Sequence, residues 1–174
     1  DHPVLMGGLE TADFEVQGVR HRIVLQGQHR ADMARLCRDV QAICTAQARL
    51  FGKLPLADYV FLTRVTESDY GGLEHRNSCA LVCGRDTLPT RHEPAGQVRE
   101  GYRTLLGLFS HEYFHSWNVK RIKPHPFKPY DLAQENYTKL LWLFEGFTSY
   151  YDDLALVRTK LITPEDYLKL VAKT

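Results

Sequence analysis

At 174 residues the chain is long enough for one domain with a sizeable core, and 44% apolar residues is ordinary for a globular protein. A formal net charge of +1 removes any electrostatic case for nucleic acid or an anionic membrane surface, and no apolar run is long enough to span a bilayer. The chain opens on Asp1-His2-Pro3 with no initiating Met and no visible signal peptide, so it reads as a piece of a longer protein with a cytoplasmic location as the simpler expectation.

The first strand is expected at Arg20–Gly27. Residues 30–51 carry the clearest helical pattern: Met33, Leu36, Cys37, Val40, Ile43, Cys44, Ala48 and Phe51 keep a three-four rhythm, Gln47 is the one polar residue on the stripe, and Gly52 ends it. A second strand is expected at Tyr59–Val65, then a turn at Ser68–Gly72 and an extended run from His75 through Cys83. A long helix covers about Gln97–Trp117, and a loop rich in Lys, Arg and Pro follows, whose cations (Lys120, Arg121, Lys123, Lys128) read most simply as solvated. Another helix runs from near Tyr137 to about Arg158. The last begins with Thr163 as cap, Pro164 in the first turn, and Glu165 and Asp166 near its positive end, and runs to Thr174. Strands come first and helices later, which predicts an α+β (mixed α/β) domain with a small sheet packed on helices. Cys37, Cys44, Cys79 and Cys83 lack zinc-knuckle spacing and read as buried thiols of a reduced intracellular protein.

The chemistry concentrates in His111-Glu112-Tyr113-Phe114-His115. Two His four apart share a helix face one turn from each other, where one Zn²⁺ can take both, and the adjacent Glu112 falls beside the open position as a base for an activated water. A catalytic zinc needs a third protein ligand. Glu145 is the candidate, because it interrupts the apolar stretch Leu141-Trp142-Leu143-Phe144 and a lone carboxylate is costly there unless paired or metal-bound. Asp152, two turns on, fits equally a plain surface position or the acceptor of a hydrogen bond from the far nitrogen of a ligating His, with Asp153 expected in solvent. In Gly71-Gly72-Leu73-Glu74-His75 the glycines permit close backbone approach, the following run suits an edge strand for a peptide, and Glu74 suits a free α-amino group; spacing alone also fits an ordinary Gly-Gly turn. No oxyanion donor stands out, Tyr137 being the nearest candidate and Tyr150 and Tyr151 weaker ones.

Three stretches together, Tyr70-Gly71-Gly72-Leu73-Glu74-His75-Arg76-Asn77-Ser78, His111-Glu112-Tyr113-Phe114-His115-Ser116-Trp117-Asn118 and Leu141 to Tyr151, resemble the glycyl aminopeptidase family of zinc metallopeptidases, within the gluzincin group. The resemblance implies that residues 1–174 are one thermolysin-like catalytic domain, with an N-terminal β-rich domain and a C-terminal PDZ-like domain outside the chain. It also implies His111, His115 and Glu145 on zinc, Glu112 as base, Glu74 on the substrate amine beside Gly71 and Gly72, and hydrolysis behind a small first residue, Gly or Ala. His75 stands where the related exopeptidase motif has Asn, and the gap from His115 to Glu145 is longer than in those relatives. The expected partner is a peptide or protein N-terminus, with no nucleic acid and no membrane insertion. Two other readings stay open: a thermolysin-like endopeptidase, and a non-catalytic peptide-binding domain that keeps the fold.

Overall fold

Strands β1 (Leu9–Val16) and β2 (Val19–Gln26) form an antiparallel hairpin whose corner, Gln17 and Gly18, has φ of 50° and 77°. Two positive φ values twist a two-residue corner with the hand of the strands it joins. The computed structural model, which describes residues 2–94 and 96–172, then crosses through α1 (Met33–Phe51) to β3 (Asp58–Thr66), parallel to β2. The short β4 (Tyr70–Glu74) returns along the outer edge, and β5 (Ser78–Gly84) inserts between it and β3. The resulting order, β1-β2-β3-β5-β4, makes β4 an edge. Three helices follow: α2 (Glu100–Phe114), α3 (Leu141–Arg158) and α4 (Pro164–Val171). The class is α+β, as the order of elements predicts.

The core explains why α2 lies where it does. Leu36, Val40, Ile43, Cys44 and Ala48 of α1 are buried with Leu105, Leu106, Phe109 and Tyr113 of α2 and Ile23, Tyr59 and Phe61 of the sheet. Within this apolar body His21 and Gln47 find partners. His21 Nε2 lies 2.8 Å from the Tyr113 hydroxyl, and burial lowers the His21 pKa. Gln47, the polar residue on the α1 stripe, donates through Nε2 to the carbonyl and hydroxyl oxygens of Ser110 at 2.9 and 2.8 Å. That amide fastens α1 to the turn of α2 just before the His pair. Asp32 caps α1 by accepting from Arg35 N at 3.0 Å, and Thr163 caps α4 by accepting from Asp166 N.

Several expectations need correction. The hairpin partner β1 is not anticipated, although Ala12, Phe14 and Val16 alternate with Asp13 and Glu15; the pattern is short, and only Phe14 and Val16 of its eight residues are buried. Its outer face is held by Asp13, whose carboxylate takes Arg22 Nε at 2.7 Å and also pairs with Arg20; those hydrogen bonds lower its pKa to about 2. Gly71 and Gly72 lie inside β4 rather than in a turn, and the expected run from His75 breaks at residues 75–77. The edge is therefore the Gly-Gly strand itself, while β5 is interior and keeps Cys79 and Cys83 buried. Helix α2 stops at Phe114, short of Trp117, and α3 begins at Leu141 rather than near Tyr137. The end of the last helix toward Thr174 lies outside the described residues. Among the described residues no helix is long and apolar enough to cross a membrane.

The basic loop is also less solvated than its composition implies. The Arg121 guanidinium donates to the carbonyls of Pro55, Arg76 and Ser116 at 2.7, 2.6 and 2.9 Å. It thereby ties the segment after α2 to the β4–β5 corner and to the entry of β3. Replacing Arg121 by Met is expected to cost about 2–3 kcal/mol in urea unfolding, because charge-assisted bonds are lost and carbonyls are left without donors. Lys in its place is expected to recover only a minor part, since one ammonium cannot span the fork's contacts.

Candidate metal centre

His111 and His115 occupy the last turn of α2, with His115 as its C-cap. The chain then tightens: Ser116 N donates to Tyr113 O at 3.0 Å and Trp117 N to Phe114 O at 3.1 Å. This turn brings the Asn118 carbonyl back under His115, where it accepts from Nδ1 at 2.9 Å. A carbonyl can only accept, so the His115 proton sits on Nδ1 and its Nε2 presents a lone pair. His111 is oriented in the same sense by a different partner, its Nδ1 lying 2.9 Å from Asp152 Oδ2. Asp152 is in turn fixed in α3, where its carbonyl accepts from Ser110 Oγ at 2.8 Å. Both rings thus have Nδ1 tied back and Nε2 turned to the same space.

Glu145 closes that space. Its Oε2 lies 3.3 Å from His111 Nε2 and 3.6 Å from His115 Nε2. Donors about 2.0–2.1 Å from a tetrahedral zinc stand about 3.3 Å from each other. Two imidazole nitrogens and one carboxylate oxygen at this spacing fit four-coordinate zinc with one position left open. Only part of the apolar flank helps put it there: Phe144 is buried against Val119 and Phe127 with Leu143 packed on them, whereas Leu141, Trp142 and Phe147 are at least half exposed and the Glu145 side chain is 44% exposed. A polar link is added by Asn118, whose Nδ2 donates to Phe144 O at 2.8 Å and to Thr148 Oγ1 at 3.1 Å, binding the end of α2 to the turn of α3 that bears Glu145.

The protonation pattern follows from these contacts. Burial opposes charge on His111, but the hydrogen bonds to Asp152 and Glu145 outweigh it and raise its pKa to about 10. His115, almost fully buried, is pushed down by desolvation and stays neutral. Glu145 is lowered, first by the hydrogen bond from His111. Burial raises Asp152 against the pull of His111. Asp153, expected in solvent, is half-buried beside Gly107 of α2; burial and the Asp152 charge raise its pKa to about 6.

Glu112 points between the metal donors and the sheet edge. A Cβ placed on Gly72 would lie 2.6 Å from Glu112 Cδ and 2.8 Å from its Cγ, so only glycine admits this approach. Gly71 has no such neighbour, its nearest contact being an ordinary 3.7 Å to Val82. Glu112 Oε2 is buried without a hydrogen-bond partner. Desolvation is the main reason its pKa rises to about 7; His111 opposes the rise, and Glu74 and Glu145 add to it. Glu74, at the end of β4, has a carboxylate oxygen within 4.8 Å of donor atoms of Glu112 and His115, so it borders the same cleft. Its Oε1 already meets Lys120 Nζ at 3.1 Å. Tyr137 is exposed with its hydroxyl on Glu135, and Tyr151 stacks on Phe114, so neither is presented as an oxyanion donor. Asn118 and Lys120 take part in the site without having been singled out in the sequence; the only signal for Asn118 is its place directly after the His motif.

The model of the M61 glycyl aminopeptidases matches residues 104–174. The crystal structure of an aminopeptidase N family protein from Idiomarina loihiensis is 45% identical and superposes with a TM-score of 0.91 over 95% of this chain and 28% of that chain. An M1 zinc metallopeptidase variant from Deinococcus radiodurans, bound to a Tyr-Ser-Ala substrate, is 19% identical with a TM-score of 0.47, covering 96% of this chain and 32% of that one. The chain therefore spans less than a third of the length of either. No curated protein matches.

The His111 proton sets the pH dependence of metal binding. A divalent ion must displace it, so apparent zinc affinity is expected to rise with pH and to flatten only as pH approaches about 10. Between pH 6 and pH 8 the rise is about a hundredfold by competition against a chelating dye, since one proton leaves per ion. In Asp152→Asn the slope should flatten and the affinity fall about 10- to 100-fold.

Proposed function

We propose that this chain, whose residues 104–174 match the M61 glycyl aminopeptidase model, is the catalytic part of a zinc-dependent aminopeptidase that releases a small first residue, Gly or Ala. His111, His115 and Glu145 would hold the zinc ion, which would supply a lowered pKa for a bound water and polarisation of the scissile carbonyl. The observation that carries the reading is the dry, unpartnered Oε2 of Glu112, held against a glycine edge strand beside the three donors. A buried carboxylate oxygen without a donor is costly unless it has a proton to take. Glu112, whose pKa burial raises and a bound zinc ion would lower again, is placed to accept the proton of the attacking water and to return it to the leaving amine.

The remaining residues position the substrate. The free edge of β4 at Gly71 to Leu73 offers backbone groups to a peptide lying as an added strand. Glu74, at the end of that edge, takes the α-ammonium on the carboxylate oxygen that Lys120 leaves free, which sets the cut one residue in. Flanking domains of the full-length protein complete the cleft around α3, whose Trp142, Phe147 and Tyr150 are exposed. A second reading has its own support: Lys120 already partly satisfies Glu74, as an endopeptidase with no use for an amine would allow.

Free and N-acetylated peptides separate the two readings. The full-length protein is expected to lose at least about a hundredfold in kcat/KM when the amine is blocked; equal cleavage leaves only the endopeptidase. Glu112→Gln should bind one zinc and lose about 10²–10⁴-fold in kcat, and full activity in that variant would refute its role as base. Gly72→Ala should fold and bind zinc but displace the Glu112 carboxylate, lowering kcat about tenfold or more.

A further inference from the structure

Beyond Glu74 lies a second cavity of about 520 Å³, lined by Arg76, Lys120, Lys123, Lys128 and Tyr130 among others, with no carboxylate among its described lining residues. Its cations crowd one another: burial, then Lys120, Arg76 and other neighbouring charges, lower the pKa of Lys123. The rings and charges are layered, with Lys123 Nζ 4.7 Å and Lys120 Nζ 5.8 Å from the centre of the Tyr130 ring. Lys120 is the residue common to this cavity and to the metal site. Its backbone N–H donates to His115 O at 3.1 Å, tying it to the turn that bears the second imidazole. Its ammonium then crosses to Glu74 at 3.1 Å, both side chains being largely out of solvent.

We propose that Lys120 is the specificity-determining residue of this site: its side chain is the bar between the place of the substrate's first side chain and the cationic cavity, and so limits that side chain to the size of Gly or Ala. The inference rests on the reading in which Glu74 holds the α-ammonium. An amine on Glu74 puts the first Cα only about 1.5 Å further on, so the first side chain starts in the same shell that the Lys120 ammonium fills. A hydrogen or methyl fits beside it. A longer chain must push Lys120 off Glu74 and break a shielded ion pair. Once the bar is shortened, the space behind it is walled by Arg76, Lys123 and Lys128, which favours a carboxylate and rejects an ammonium. Volume and charge therefore act separately: Met at this position keeps the bar without the charge, and Ala removes both.

The test uses the full-length, zinc-loaded protein and peptides that differ only in the first residue: Ala, Gln, Glu, Lys and N-acetyl-Ala. Wild type is expected to prefer Ala over Glu and to need the free amine. Lys120→Ala, with Lys120→Ser made in parallel in case one does not fold, should raise the Glu-to-Ala ratio of kcat/KM at least tenfold, with the change in KM. Lys120→Met should keep the wild-type order. Adding Lys123→Glu to Lys120→Ala should reverse the gain, favouring Lys over Glu. The same ratios should appear as Kd values by calorimetry in a Glu112→Gln background, where no turnover contributes. An unchanged Glu-to-Ala ratio in a folded Lys120→Ala or Lys120→Ser protein, or a Met variant that opens as fully as Ala, overturns the gate. Equal cleavage of N-acetyl-Ala by wild type instead overturns the amine anchor on which it rests.

Discussion

Two hydrogen bonds at Nδ1 decide what the end of α2 can do. His111 and His115 would share a face on any helix, but shared position does not orient rings. Asp152 turns one imidazole from α3, and the Asn118 carbonyl turns the other from the chain's own reversal after Phe114. Each acceptor is itself tied down. Ser110 holds the Asp152 backbone, and the Asn118 side chain spans Phe144 O and Thr148 Oγ1. The same contacts that aim the two Nε2 atoms therefore also set the distance between α2 and α3, and with it the reach of Glu145. Ring orientation and helix packing are one constraint here, and loosening either would spread the three donors.

A second constraint runs from α2 to the sheet. Gln47 and the Tyr113–Tyr59–Phe61 aromatic body seat the helix so closely over the strands that the Glu112 carboxylate meets the backbone of β4. Glycine at position 72 is what lets a strand and a carboxylate occupy adjoining space. The consequence is electrostatic as well as steric. Pressed against the strand, Glu112 loses water on one side, and desolvation is the largest influence on its proton affinity. An edge strand that also serves as a lining for the base is thus a single piece of geometry.

How much of this is legible in the sequence depends on the range of the rule involved. Helical spacing is local, so the face shared by His111 and His115, the α1 stripe and the Thr163 cap can be read from the chain. Glu145 can be picked out too, through an argument about burial that holds for Phe144 and Leu143 but not for Leu141, Trp142 and Phe147, which turn outward; the Asn118 bridge adds a polar hold on α3 that the argument does not contain. Strand β1 leaves only a short trace, the alternation of Ala12, Phe14 and Val16 at the end of a polar, exposed run. The Gly-Gly pair looks like a turn, since the glycine at 72 answers to a residue forty positions away rather than to local backbone demand. Arg121 looks like a loop charge because its partners are backbone carbonyls, which carry no sequence signature.

Charge gives the sharpest case of the same limit. The chain has 22 basic and 21 acidic residues, a near balance that marks no surface for any partner. The fold separates the signs. Glu74, Glu112, Glu145 and Asp152 gather around the imidazoles, while Arg76, Lys123 and Lys128 line the space behind the end of β4. Lys120 stands at the boundary with its ammonium 3.1 Å from Glu74. There it holds the one carboxylate that faces both regions, and its charge restrains the rise in proton affinity that the other carboxylates impose on Glu112. Burial still dominates that rise, so Lys120 adjusts the base rather than setting it. What a summed charge of +1 cannot convey is this arrangement, because the potential at a buried group depends on which charges lie within a few ångströms of it and on how little water lies between them.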